Sequence, residues 1–436
     1  MEKASFHVLI IGGGIGGLCL AQGLKKAGIS VAVYERDLES NSRLQGYRIH
    51  INSYGSRALN ACLPPHLYDA FVSTCGKQGN ELCFYSEQME ELLTLRVQEE
   101  DAVDPITSHK SVSRITLRQV LLAEMEGYVH LGKKFVRYEQ QPNGRVTAFF
   151  EDGTSATGDL LVGADGGNSR VRQQYLPSAQ RVDTGIRAIA GKTPLTEQTR
   201  SLLPANTFSV AAPSGLGAFI AIQEFDHRNT SVPSYIGAND PAHSSPSSLL
   251  FDNTASYIMW NFIAKKGKYP FQDIDTEKLN GRQLIDLACK MMKGWDTRFH
   301  KLVRQADPEA ITLLSIQSSV PIKPWKTTQI TLLGDAIHSM TPMRGIGANT
   351  ALRDSELLFQ NLKLAHQGKL SLYEAVHSYE SEMIQYGFEA VRASMKTAEQ
   401  STADNAFGLK MMKTTFKLLN AVPPLKSIVF RNFGKE

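Results

Sequence analysis

The first apolar run of the chain, His7–Ile11, shows no polar alternation and predicts a strand buried on both faces. A glycine cluster follows it. Ile15–Ala27 then carries apolar residues at helical spacing through Leu18, Ala21 and Leu24, and Gly28 closes that helix. Val31–Glu35 is a second strand. Strand, helix, strand in this order predicts a parallel sheet. Ile115–Met125 predicts another helix, with Leu117, Leu121 and Leu122 on one face. Val146–Phe150 and Asp159–Gly163 predict strands on either side of a turn at Gly153.

The pattern changes between Arg181 and Val320. Ile186–Gly191, Thr207–Ala212, Ala218–Glu224, Tyr257–Ala264 and Ile311–Gln317 predict strands of a mostly antiparallel sheet. Ser231–Ser248, rich in Ser and Pro, predicts a mobile loop inside a hairpin. Ile330–Leu333 returns to a buried strand, a helix starts near Gly347, and a long helical pattern runs through Glu374–Glu399. Leu409–Phe430 mixes Lys410, Lys413, Lys417 and Lys426 with apolar residues. It reads as a helix packed on the body with lysines facing water, in preference to a membrane-surface helix that Pro423-Pro424 would interrupt.

Composition adds bounds. The 436 residues suit two or three folding units, and the net charge of +4 makes no case for nucleic acid or a membrane as partner. The five cysteines, Cys19, Cys62, Cys75, Cys83 and Cys289, form no Cys-x-x-Cys pair. Neither a disulfide framework nor a metal site is expected, and reduced thiols fit a cytoplasmic setting. No leader segment and no apolar run of membrane-spanning length is read.

Three motifs carry the chemistry. Gly12-Gly13-Gly14-Ile15-Gly16-Gly17 is a G-x-G-x-x-G directly after a strand. Gly12 permits the tight turn, Gly14 lets backbone approach a pyrophosphate, and Gly17 lets helix and strand pack closely. The helix N-terminus offers N–H groups and positive dipole to phosphate. Glu35, at the end of the second strand, is placed to accept hydrogen bonds from ribose hydroxyls. The set predicts an ADP-containing dinucleotide, NAD or FAD. The second motif runs from Asp159 through Gly163, Asp165, Gly166, Ser169 and Arg170 to Arg172. The third runs from Leu333-Gly334-Asp335 through His338, Pro342, Gly345 and Gly347 to Ala348-Asn349.

The second and third motifs resemble the "DG" and "GD" motifs of flavoprotein hydroxylases. In order and spacing the chain, to about Arg392, resembles the class A flavin monooxygenases, the family of p-hydroxybenzoate hydroxylase, salicylate hydroxylase and the tetracycline-inactivating enzymes. Gln45-Gly46-Tyr47-Arg48-Ile49 also resembles a stretch of microbial secondary-metabolism members.

The resemblance implies an α/β fold: a Rossmann-like FAD-binding domain from residues 1–75, 105–180 and 320–400, and an inserted, mostly antiparallel substrate-binding sheet from 76–104 and 181–319. A helical segment, 401–436, would complete it. The implied cofactor is FAD, with NADPH or NADH as co-substrate. There is no second G-x-G-x-x-G to give the nicotinamide its own fold, and the tryptophan motif of flavin halogenases is absent. Partners would be O2, NAD(P)H and a small organic substrate, and the chain a monomer or homodimer.

On the same resemblance Asp335 bonds a ribityl hydroxyl, and Arg118, with Arg114 one turn before it, contacts FAD. Arg43 and Gly46 line the flavin or nicotinamide. Asp165 orders a turn near both, without acid–base work. After Pro342, the turn Gly345–Asn349 is expected to direct backbone N–H groups at the pyrimidine edge of the flavin, where negative charge develops on reduction. Pro342 and Gly345 would form the catalytic edge, with Gly347, Ala348 and Asn349 behind it. His338 reads as a positioning residue. Several fungal relatives place an arginine just before the strand glycine, to steer a phenolate. Ala190 stands there, before Gly191, and Arg187 is the candidate to replace it, against a reading as a solvent-facing charge.

The implied reaction is oxygen transfer from a flavin C4a-hydroperoxide to an electron-rich arene, indole or alkene, behind a barrier to water. Two alternatives stay open on the residues alone: an FAD oxidase or dehydrogenase that inserts no oxygen, and a flavin-binding protein without turnover.

Overall fold

The computed structural model describes residues 5–38, 48–77, 79, 81–96, 104, 106–225, 255–270 and 279–430. Arg43, Gly46 and the Ser231–Ser248 segment lie outside them.

Two sheets organise the described chain. The first is parallel, in the order β17-β11-β1-β2-β7. Its strands are β1 (His7–Ile11), β2 (Ser30–Tyr34), β7 (Val129–His130), β11 (Leu160–Gly163) and β17 (Ile330–Leu332). Val8, Leu9 and Ile10 are all fully buried, which explains the absence of alternation: both faces of this sheet are covered. The helix Ile15–Lys26 packs closely on Gly347–His366. A ladder of β3 (Arg48–Ile51) and β6 (Lys110–Ser113) stands beside it. The Gly153 turn joins β9 (Val146–Phe150) to β10 (Ser155–Gly158), in an antiparallel sheet with β8 (Phe135–Gln140). The expected partner across that turn, Asp159–Gly163, instead supplies β11 to the parallel sheet.

The second sheet has seven strands in the order β16-β12-β15-β14-β13-β4-β5. They are β4 (Glu81–Ser86), β5 (Glu91–Arg96), β12 (Arg181–Pro194), β13 (Thr207–Ala211), β14 (Gly217–Gln223), β15 (Tyr257–Lys265) and β16 (Thr312–Ser319). All neighbours run antiparallel except β13 and β4.

Alternation gives this sheet two unlike faces. One carries Phe208, Ile220, Ile258, Trp260 and Phe262, and packs on Leu284, Leu287, Phe299 and Leu302 of the helices Gly281–Met291 and Thr297–Arg304. The other carries Ile186, Ala188 and Lys192 of β12, Phe219 and Gln223 of β14, and Tyr257, Met259 and Asn261 of β15. This second face turns toward the parallel-sheet body. Ile186, Ala188, Ile263 and Ile316 meet Ala398 and Met343 there. Gln223 exchanges hydrogen bonds with Ser111 of β6.

The helix Ala406–Ala421 returns to the hairpin β4–β5. Phe416 and Leu419 pack against Phe84, Leu93 and Leu95. Lys413 and Lys417 pair with Glu87 and Glu90, so these two lysines hold the helix to the body in addition to facing solvent. Its outer side leaves Phe407, Met411 and Leu418 exposed.

Candidate functional site

The first glycine turn sits at the carboxyl end of β1. Gly12 has φ +111°, and a Cβ there would lie 2.4 Å from the Ala164 carbonyl oxygen. A Cβ on Gly17 would lie 2.3 Å from the Gly12 oxygen. Both glycines are required by the protein's own packing. A Cβ on Gly14, by contrast, meets nothing within 4 Å. The first helical bond of Ile15–Lys26 is Leu18 N–H to Gly14 O, so the N–H groups of Ile15, Gly16 and Gly17 have no partner within the helix.

Buried Glu35 fixes this turn. Its Oε2 accepts from Gly13 N–H at 2.6 Å and its Oε1 from Asp37 N–H at 3.0 Å. Each oxygen keeps a lone pair for a further donor. Arg118 donates from Nε to Gly13 O at 3.1 Å, so it reaches the turn. Burial lowers the Arg118 pKa, and the carboxylates of Glu35 and Asp37 oppose that shift. Arg114, at the start of the same helix, is exposed.

Asp165 orders the second motif. Its Oδ2 accepts from Arg170 N–H at 2.7 Å and Val171 N–H at 3.3 Å. Burial raises its pKa against those hydrogen bonds. Arg172, a residue of the motif given no role by the sequence, joins it to the third: Nη1 donates to Gly167 O and to Ala336 O, both at 2.9 Å.

The third motif follows β17. Asp335, just beyond that buried strand, is exposed. It opens a short helix, Asp335–His338, and its side chain remains available to a ligand. The loop is held by Asp354, which sequence reasoning missed. Fully buried Asp354 accepts from Gly334 N–H at 2.7 Å, His338 Nε2 at 2.7 Å and Tyr386 Oη at 2.6 Å. Burial alone would depress the His338 pKa, but the Asp354 carboxylate reverses the sign and raises it. His338 is therefore a positioning residue.

Pro342 and Gly345 are exposed, and Gly345 has φ +65°. A Cβ on Gly347 would meet only Met340 Cγ at 3.7 Å. The first helical bond is Thr350 N–H to Ile346 O, which leaves the N–H groups of Gly347, Ala348 and Asn349 without partners inside the helix. The Asn349 side chain is committed to the protein. Its Oδ1 accepts from Asn52 N–H at 2.9 Å and its Nδ2 donates to His50 O at 2.8 Å, tying the loop to β3. Any contact Asn349 makes to a cofactor falls to its backbone.

Arg187 is corrected most. It is 4% exposed, and both Nη atoms bond Asp183 carboxylate oxygens at 2.9 Å. It shares parity with Ile189, on the face covered by Trp260, Phe262 and their helices. The reading as a solvent-facing charge fails because Asp183 lies across a β-bulge and neutralises it. The catalytic reading loses its support, since Arg187 is spent on the face turned away from the glycine loops. Among the described residues, the sheet register places a different cation of the same strand, Lys192, on the inward face beside Met259.

These residues fit FAD. Gly14 and Gly347 have the space a ligand's close approach requires, Glu35 follows β2 and Asp335 follows β17 on either side of β1 as acceptors, and two helix starts offer N–H groups.

Known proteins agree with that geometry. A family model for an FAD binding domain matches residues 289–394, and one for an NAD(P)-binding Rossmann-like domain matches residues 10–69. A crystal structure described as an FAD-containing monooxygenase from Photorhabdus luminescens subsp. laumondii is 39% identical. The match covers 91% of this chain and 99% of that one, with a TM-score of 0.78. The FAD-dependent monooxygenase thnD of Trichoderma harzianum is 28% identical over 92% of this chain and 94% of its own. The dual O-methyltransferase/FAD-dependent monooxygenase CTB3 of Cercospora beticola is 30% identical over 86% of this chain, which spans only 44% of that protein.

Proposed function

Because the chain belongs to the class A FAD-dependent monooxygenases, we propose that it uses NAD(P)H and O2 to place one oxygen atom on an electron-rich aromatic, polyketide or indole-type small molecule. The observation that carries the reading is convergence. The Gly12–Gly17 turn packs on Ala164, Gly16 approaches Leu333 and Ala351, and Arg172 bonds the second and third motifs together. Motifs far apart in sequence thus meet at the carboxyl ends of β1, β11 and β17, where open α/β sheets bind ligands.

FAD bound there supplies hydride acceptance and oxygen activation. Gly14 and the free N–H groups after it take the pyrophosphate, Glu35 the adenosine ribose, and Asp335 the ribityl chain. The N–H groups of Gly347, Ala348 and Asn349, with the dipole of a 20-residue helix, stabilise negative charge at the flavin edge. Residues 1–75, 105–180 and 320–400 form the cofactor-binding part in this reading. Residues 76–104 and 181–319 present the substrate, and their inward sheet face excludes water from it.

The test is turnover by the FAD-loaded protein under 18O2 with NADPH or NADH, across a panel of phenols, indoles and polyketide aromatics. An accelerated NAD(P)H oxidation with one 18O atom in the product supports the reading. Acceleration with H2O2 as the sole oxygen product across the panel makes the protein an oxidase and defeats it.

A further inference from the structure

We propose that the last two described helices, Ala406–Ala421 and Pro423–Val429, form a docking surface for an anionic lipid bilayer, with exposed apolar side chains entering the interface and lysines at its phosphates. No described helix is long and apolar enough to cross a membrane, so the contact is with the surface alone. It does not depend on the chemistry of the cleft.

The first helix is held from one side. Phe416 and Leu419 pack on the β4–β5 hairpin, and Lys413 and Lys417 pair with Glu87 and Glu90, which together fix its rotation. Phe407, Met411 and Leu418 recur at i, i+4 and i+11, so they share the opposite side, and Phe407 is 76% exposed. The pattern continues past the break. Pro423 and Pro424 open a new helix, where their missing N–H groups cost nothing. Lys426 turns back to the body and donates to Thr94 O and Asn420 Oδ1, while Leu425, Ile428 and Val429 stay outside, Ile428 at 72% exposure. The prolines therefore divide the amphipathic pattern between two helices without ending it.

Charge selects the occupant. From Asn405 to Phe430 the sequence holds four lysines and no Asp or Glu. Lys410 lies three residues after Phe407 and Lys417 seven after Lys410, so both flank the apolar side along one edge. An open groove beside Pro213 follows that edge, lined by Lys410, Lys413, Thr414 and Lys417. Among the described residues, Lys410 and Lys426 pair with no carboxylate. A flanking lysine can lay its stem along apolar surface and keep its ammonium at lipid phosphates. A second copy of the chain, docked through the same face, would bring two acid-free rows of lysine together, which like-charge repulsion disfavours. An anionic bilayer takes up both the apolar side and the charge.

The test is flotation of the FAD-loaded full chain with two kinds of vesicle, phosphatidylcholine alone and phosphatidylcholine with about one-third phosphatidylserine. Binding should be about tenfold tighter to the anionic vesicles, and salt at about 0.5 M should remove most of that preference. Met411→Glu combined with Leu418→Glu should abolish binding, and Lys410→Glu should weaken it about tenfold. All three side chains are exposed and lie outside the cofactor-binding motifs, so FAD content and NAD(P)H oxidation without lipid should match wild type. Ile428→Glu on the second helix repeats the test if the double variant loses FAD. No flotation with either vesicle, equal binding to both, or an anionic preference that survives these variants overturns the proposal. So does a lipid-free dimer, seen by sedimentation velocity and dissolved by Met411→Glu with Leu418→Glu while vesicles fail to bind, which assigns the face to a second copy.

Discussion

Two glycine loops on the parallel sheet are held by the same contact. Gly13 N–H donates to Glu35 at 2.6 Å and Gly334 N–H to Asp354 at 2.7 Å. The surroundings differ. Asp354 is fully buried and also takes His338 and Tyr386, so its oxygens serve the protein alone. Glu35 is 8% exposed and, among the described residues, accepts from the backbone N–H groups of Gly13 and Asp37, at the edge of the turn whose Gly14 has open space beside it. One carboxylate is a structural tie, and the other is a tie that also faces a ligand. The same division runs through the glycines: Gly12 and Gly17 are demanded by neighbouring atoms, Gly14 and Gly347 are not.

The sharpest break is Asp354→Ala. It strips three donors of a buried acceptor, so stability should fall by about 3–5 kcal/mol in urea titration, with or without FAD. The pH dependence follows from His338, whose folded pKa is raised. Its stabilisation is full below its ordinary value of 6.5 and is lost as pH rises through the raised folded value. Urea midpoints on wild type and Asp354→Asn should show that alkaline loss only in the wild type. An identical slope in both would detach His338 from Asp354.

Gly12→Ala and Gly17→Ala should cost about 3 kcal/mol or more, seen as lost soluble yield or a lowered midpoint, because each inserted carbon overlaps backbone. Gly14→Ala should keep the apo protein's stability within about 0.5 kcal/mol and still lose FAD. A yellow, stoichiometrically loaded Gly14→Ala would refute the phosphate-cradle role.

Glu35→Ala should weaken FAD by about 1.5–3 kcal/mol in equilibrium titration, as a charged hydrogen-bonding group is removed. Unchanged affinity would make Glu35 a tie of the Asp354 kind. Smallest in free energy is Gly347→Ala, whose methyl has room in the protein. Its effect should appear as a lower flavin potential and a larger share of H2O2 per NAD(P)H. Wild-type potential and coupling would move the flavin edge away from this turn.

Much of the parallel sheet was legible because buried strands and glycine turns are local signals. His7–Ile11 matches its strand to the residue, and the helix opening at Gly347 begins where its glycine turn indicates. The five inserted strands were found to within a few residues, but their sidedness was not. Gly185, with φ +72°, and the bulge between Asp183 and Ile186 put Asp183 beside Arg187. A bulge of that kind leaves little trace in a hydrophobic pattern. The helix Gly281–Met291 passed unread, although Asn280 and Gln283 form a capping box ahead of Leu284, Leu287 and Ala288. Asp354 and Glu380 were given no role in the sequence, where nothing sets them apart from other acids of helical segments. Only tertiary packing reveals that Glu380 gathers Trp325, Thr327 and Thr331 inside the protein.

The interleaving of the two sheets has a consequence for synthesis. The parallel sheet begins with β1 at His7 but waits for β17, which ends at Leu332. The seven-stranded sheet starts at Glu81 and is incomplete until Ser319. At a ribosomal pace of ~5–20 residues per second, early strands spend many seconds with open edges before their late partners emerge. Neither sheet can close as an independent N-terminal unit, so the nascent chain carries pairing surfaces that invite association with other chains. Expression at low temperature or with chaperone capacity should therefore raise soluble yield, and any split of the chain between residues 163 and 330 should separate β11 from its neighbour β17.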